Sequence, residues 1–156
     1  MKAVQLLTAA LAVVFAGFAL ADDKKPDEKK AAFDATKLEG KWKLTDGKKN
    51  GAGVGDDSKK SVFVFSKDTI KIMAGDNALF TIKYTVDAKA SPVTIDMEIS
   101  EGEGGKGMKA KGILELKDDE LKLCYDPMGG DRPAKFDGDK AYFFTFKKEK
   151  EEKKDK

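Results

Sequence analysis

No histidine occurs anywhere in this chain. That absence removes imidazole general acid–base catalysis, the Ser-His-Asp and Cys-His arrangements, and nearly every zinc or copper site. Neither a metal nor a cofactor is therefore expected. A single cysteine, Cys124, leaves no way to close a disulfide within the chain, so burial of apolar surface must stabilise the fold. With no histidine to activate its thiol, Cys124 reads as a small packed side chain and not as a nucleophile. An excess of one charge is lacking too. The 30 basic and 28 acidic residues alternate along the sequence, no basic face emerges, and nucleic acid is not expected as a partner. Beyond the first 21 residues no helix-period stretch is long enough for an α/β architecture.

What is present begins with an apolar run. Met1 and Lys2 form a short positive region, and Ala3 to Ala21 follow, interrupted by Gln5 and Thr8. The run ends in Ala19-Leu20-Ala21, the small-x-small pattern read by signal peptidase, and charged residues begin at Asp22. Residues 1–21 are therefore expected to be a secretory signal peptide, cleaved after Ala21. Nineteen residues approach the roughly 20 of a membrane-spanning helix, but their Ala-rich character and well-formed cleavage site favour removal, leaving no stable membrane span. No cysteine follows Ala21, so a lipid anchor at that site is excluded. The remaining 135 of the 156 residues suit one domain with a real core, periplasmic or secreted and monomeric.

Residues 22–37 read as a charged linker or short helix, and a domain at 38–148 follows. From Leu38 onward apolar residues recur with period two. Trp42 and Leu44 alternate with Lys41, Lys43 and Thr45. Val62-Phe63-Val64-Phe65 form a short apolar run, and Ile70 and Ile72 follow a Ser-Lys-Asp turn. Phe80, Ile82, Tyr84 and Val86 make another alternating set; Val93, Ile95, Met97 and Ile99 make the next. Ala110 to Leu116, Leu121 to Tyr125 and Tyr142 to Phe146 complete eight strands. The spacing predicts an all-β domain, an eight-stranded antiparallel meander closing into a barrel, with a two-sheet β-sandwich as the alternative. Residues 149–156 carry mixed charge and read as a disordered tail.

Three motifs invite chemistry. Gly102-Glu103-Gly104-Gly105-Lys106-Gly107 matches a dinucleotide fingerprint, but a strand follows where that site needs a helix N-terminus, so it reads as a hairpin loop. Gly51-Ala52-Gly53-Val54-Gly55 is either a mobile flap over a barrel mouth or an ordinary surface loop. Asp137-Gly138-Asp139 lacks the ordered oxygens of a calcium loop and reads as a turn.

Leu38-Glu39-Gly40-Lys41-Trp42 opens the domain with G-x-W, which resembles the start of a lipocalin-type barrel. Thr94-Ile95-Asp96, Gly112-Ile113-Leu114-Glu115-Leu116, Leu121-Lys122-Leu123-Cys124 and Asp131-Arg132-Pro133 follow in order. Together these segments resemble an uncharacterised family of small secreted domains known mainly from planctomycete bacteria. The resemblance covers about residues 38–148. It implies a lipocalin-like barrel, with Gly40 and Trp42 in structural roles, and brings no activity, ligand or catalytic residue. Because a basic side chain covers the G-x-W tryptophan in lipocalin-like barrels, it also implies a structural role for Arg132, the sole arginine, against Trp42.

Three functions are compatible with these readings. The first expected is a non-enzymatic interaction or structural protein of the cell envelope, its partner an envelope protein. The alternative is a binding module for a small apolar ligand, lined by Trp42, Phe80, Ile82, Tyr84, Ile95, Met97, Leu114 and Leu123. The third is an enzyme using carboxylates or Lys; no carboxylate pair stands out, and no catalytic residue is assigned.

Overall fold

The computed structural model describes residues 33–150. The expected signal peptide, most of the linker and the end of the tail lie outside the described residues. Nine strands follow in chain order: β1 (Gly40–Lys49), β2 (Ala52–Gly53), β3 (Val62–Phe65), β4 (Thr69–Ala74), β5 (Asn77–Asp87), β6 (Val93–Gly102), β7 (Lys109–Lys117), β8 (Glu120–Asp126) and β9 (Tyr142–Lys148). All but β2 form an antiparallel meander that closes, because β1 pairs with β9 as well as with β3. The all-β, eight-stranded barrel expected from the alternating pattern is what forms, and the sandwich is excluded. Closure gives each long strand two neighbours, which removes the exposed edges of an open sheet. β2 is an added strand, paired with Lys48 and Lys49 at the end of β1.

The apolar members of each alternating run face the interior, as a half-buried strand requires. β1 breaks that period. Its register against β9 shifts between Leu44 and Asp46, a bulge that turns Gly47 and Lys49 inward in place of Asp46 and Lys48. Gly47 is needed there because a Cβ would lie 2.6 Å from the Phe144 ring. Gly40, at φ +123°, starts the same strand in a conformation that side chains rarely adopt.

The two ends of the barrel differ. Short turns at 66–68, 88–92 and 118–119 gather at one end, and the long connections at 50–61, 103–108 and 127–141 gather at the other. The short-turn end is filled. A 3-10 helix, Ala35–Leu38, capped by the Asp34 side chain, delivers Leu38 into it. Leu38, Trp42, Ile95 and Phe146 are fully buried here, with Phe65, Ile70, Leu114 and Leu121 close to it. Trp42 Nε1 donates to the Leu38 carbonyl at 2.7 Å. Tyr84 is packed in the same cluster and donates to the Ser66 carbonyl at 2.7 Å.

The basic side chain over Trp42 is Lys148, which corrects the expected pairing with Arg132. Lys148 stands opposite Trp42 in the β1–β9 register. Its ammonium lies 5.2 Å from the Trp42 ring centroid and donates to the Lys37 carbonyl at 2.8 Å. Arg132 does not come near because the β8–β9 connection leaves from the opposite, long-loop end. That connection runs along the outside of the barrel. There Arg132 Nη1 donates to the carbonyls of Ile95 (3.0 Å) and Gly112 (2.7 Å), and Nη2 pairs with Asp96 Oδ1 at 2.7 Å.

The same connection covers a second, smaller core. Ile113, Cys124 and Ala141 are buried on the outward side of the sheet, with Phe136 and Phe143 packed against them. Cys124 has no exposure and donates to the Asp137 carbonyl at 3.5 Å. Burial first, and the Asp137 charge after it, raise its thiol pKa, against the lowering effect of that hydrogen bond. A protonated, fully covered thiol is a packing element, not a nucleophile. Asp137-Gly138-Asp139 is a turn beneath it, with Asp139 N donating to Asp137 Oδ1 at 3.0 Å.

Candidate functional site

At the long-loop end the barrel is hollow. Two adjoining spaces of about 210 and 330 Å³ share Phe63, Ile72, Ile82, Ile99, Tyr125 and Tyr142 as walls, so they are lobes of one cavity. The cause is the distribution of side-chain volume. The filled end receives an indole, a 3-10 helix and several close-packed aromatic and aliphatic side chains, whereas Gly47 and Ala110 supply little bulk above it. The larger lobe alone falls in the range of about 300–1,000 Å³ typical of small-molecule sites.

Five aromatic rings, Phe63, Phe80, Tyr125, Tyr142 and Phe144, stand among mostly aliphatic walls. Tyr125 and Tyr142 meet edge to face at 5.6 Å between centroids, and Tyr125 lies 6.0 Å from Phe144. Burial, with the neighbouring Tyr142 adding to it, pushes the Tyr125 phenol far above its ordinary pKa, so it stays protonated and able to donate. Unlike Tyr84, the Tyr125 and Tyr142 hydroxyls make no hydrogen bond to protein among the described residues, and neither is sealed from solvent. Lys49, turned inward by the bulge, places its ammonium 5.7 Å from the Tyr142 centroid and 5.9 Å from that of Phe144. Ser58 and Ser61 border the same lobe.

The segment after β1 forms one side of the mouth. β2 is followed by a single helical turn, Asp56–Lys59, and Val54 packs against the barrel core. The Gly51–Gly55 stretch is thus a bordering element with its own short strand. Across the mouth, the Gly102–Gly107 segment is a hairpin turn, with Gly107 N donating to the Ile99 carbonyl at 2.7 Å. Leu79 and Met108, both partly exposed, line the cavity from the rim.

The eight residues expected to line a ligand cavity divide into two groups. Phe80, Ile82, Met97 and Leu123 are cavity walls. Trp42, Tyr84, Ile95 and Leu114 also face inward but belong to the filled half, where packing leaves them no open space. Sequence reasoning did not single out Lys49, Phe63, Tyr125 or Tyr142. The two tyrosines stood in the alternating pattern as inward members of β8 and β9, whereas the position of Lys49 depends on the bulge.

A separate depression of about 500 Å³ lies on the outer side of the barrel, over β5, β6 and β7. It is open to solvent, and its charges are matched in sign: Lys109 pairs with Glu98 at 3.6 Å, and Asp96 is held by Arg132. Six of its ten lining residues are charged, against two among the walls of the interior hollow, which is therefore the better candidate for an apolar ligand. Compared with protein-family models, curated proteins and solved structures, the chain finds no match.

Proposed function

We propose that this chain is an exported, non-enzymatic binding module that holds one small apolar molecule in the upper half of its barrel. The observation that carries the reading is the hollow of aliphatic and aromatic walls above a fully packed floor. A protein whose role was only structural would gain stability by filling that space, since packing defects cost free energy. What supports a non-enzymatic role is the set of polar groups that reach the hollow: phenols, serine hydroxyls and lysine ammonium groups, with no carboxylate beside them among the described residues. The lipocalin-like kinship expected from G-x-W fits the same use of a barrel and adds fold analogy to it.

Ile82 borders both lobes, so Ile82→Trp is the direct test. The indole enters existing space, and the thermal midpoint should hold. Binding of the neutral fluorophore N-phenyl-1-naphthylamine, read from its emission, should weaken at least about tenfold, in line with the affinity lost for each ~1.4 kcal/mol. If the parent protein does not enhance the emission of that fluorophore, the hollow is not a binding site, and an interaction or structural role in the envelope takes its place.

Export is the second part of the proposal, and it rests on the Ala19-Leu20-Ala21 boundary. Intact-mass measurement of the protein secreted by its host should give a chain beginning at Asp22. A chain retaining Met1 in the membrane fraction would refute it.

A further inference from the structure

Resting on the binding reading above, we infer that the ligand is a monoanionic amphiphile, an apolar body of up to about eighteen non-hydrogen atoms carrying one carboxylate-like head that sits against Lys49. The size limit comes from the two lobes, whose approximately 210 and 330 Å³ together hold about eighteen groups at the ~30 Å³ that a water occupies in the liquid. The charge of the head comes from what lines the walls. Lys49 and Lys109 are the charged residues among them, and no Asp or Glu joins them among the described residues. Lys109 already pairs with Glu98, whereas Lys49 has no ion pair among the described residues.

The position of Lys49 is built into the fold. The β1 bulge points it inward, and Gly47, without a side chain, leaves the Phe144 ring room to lie beneath its ammonium. A cation held over two aromatic faces is attracted to them but gains no hydrogen-bond acceptor, and its N–H groups are left for a ligand. The Tyr142 ring adjoins it and Tyr125 the next step inward, each with an unpartnered hydroxyl able to donate. An unpaired ammonium and hydroxyls that can donate, around an apolar hollow with no carboxylate in its lining among the described residues, complement an anion whose tail is apolar. A cationic head would meet only like charge, and a neutral head would accept from the ammonium more weakly than an anion does.

Three probes with the same ten-carbon chain separate the head from the body: decanoate, decanol and decyltrimethylammonium, titrated calorimetrically into the purified protein. Decanoate should bind about tenfold more tightly than decanol, a charge-assisted bond discounted for its place at an open mouth, and the ammonium most weakly. Lys49→Met should bring decanoate down to the affinity of decanol, leaving decanol unchanged, and Lys49→Arg should keep the preference. Lys49→Gln repeats the test if the Met variant folds poorly. Decanol binding with no preference for decanoate, or a preference that survives both neutral variants, overturns the anionic head and leaves the hollow as a binding site. Failure of all three probes overturns both.

Discussion

Trp42→Ala should lower the folding stability by about 4 kcal/mol, within the 3–5 typical of deleting a large buried aromatic. The indole is fully buried at the closed end and shares its cluster with Leu38, Phe65 and Phe146. Those neighbours cannot close the gap, since they are held by the barrel hydrogen bonds on one side and the 3-10 helix on the other. Removal therefore leaves a cavity as well as losing transfer free energy. It also strands the Leu38 carbonyl, which accepts from Nε1 at 2.7 Å. Trp42→Phe isolates that second part and should cost about 1–3 kcal/mol, the desolvation of an acceptor left unpaired plus some volume. Lys148→Met removes the cation over the ring together with its bond to the Lys37 carbonyl, an effect of about 1–2 kcal/mol because the ammonium is near solvent. Urea unfolding followed by circular dichroism reads all three without needing the tryptophan signal. A loss for Trp42→Ala below about 2 kcal/mol would show that the closed end is not the packed floor described here.

How far the fold was legible follows from the same residues. Strict alternation marks β5 through β9 because each has one face on the core and one in water, and that asymmetry is written directly into the order of apolar and polar residues. Closure was less legible. It depends on β1 pairing with β9 across about a hundred residues, and no local pattern encodes a pairing at that separation. Lys148 shows the cost of reading charge alone. It continues the inward series Tyr142, Phe144, Phe146, yet beside the charged tail it reads as the start of solvent-facing sequence. Period, not polarity, was the better guide there.

The candidate site was half legible. Alternation identifies inward residues, but says nothing about which height in the barrel is filled, because filling depends on volumes brought together from eight strands. Trp42 and Phe80 look alike as inward aromatics; one is the floor and the other a wall. Lys49 was out of reach for a sharper reason. With period two from Trp42 and Leu44, Asp46 and Lys48 would point inward, and only the bulge exchanges them for Gly47 and Lys49. Gly47 is the trace of that exchange in the sequence, intelligible once the Phe144 ring is seen in its place. The outer core was visible in principle, since Ile113, Cys124 and Phe143 are apolar at outward positions, but its cover, Phe136, lies in a loop with no period.

Arg132→Met should cost about 2–3 kcal/mol, and the pattern across three variants should say why. The guanidinium makes two bonds to backbone carbonyls on adjacent strands and one to Asp96. Hydrogen bonds to a charged group contribute about 1.5–3 kcal/mol each when shielded, and Arg132 is largely shielded, with its side chain 28% exposed. Asp96 is different: its side chain is 58% exposed, and an ion pair in that setting contributes less than about 1 kcal/mol. Asp96→Asn should therefore be mild, and salt should diminish its effect further. Arg132→Lys should fall between, at about 1–2 kcal/mol, since an ammonium can reach one carbonyl but cannot present a planar fork to two carbonyls and a carboxylate at once. Methionine keeps much of the apolar stem, so its loss measures the donors and not the packing. Chemical unfolding of the three variants at low and high salt supplies the comparison. If Asp96→Asn costs as much as Arg132→Met, the ion pair is the important contact and the carbonyl grip is incidental. If Arg132→Lys is neutral, positive charge suffices at this position. The expected order, Met above Lys above Asn, makes the lone arginine a clamp that fastens the β8–β9 connection to β6 and β7, and so keeps Phe136 over Cys124 on the outer core.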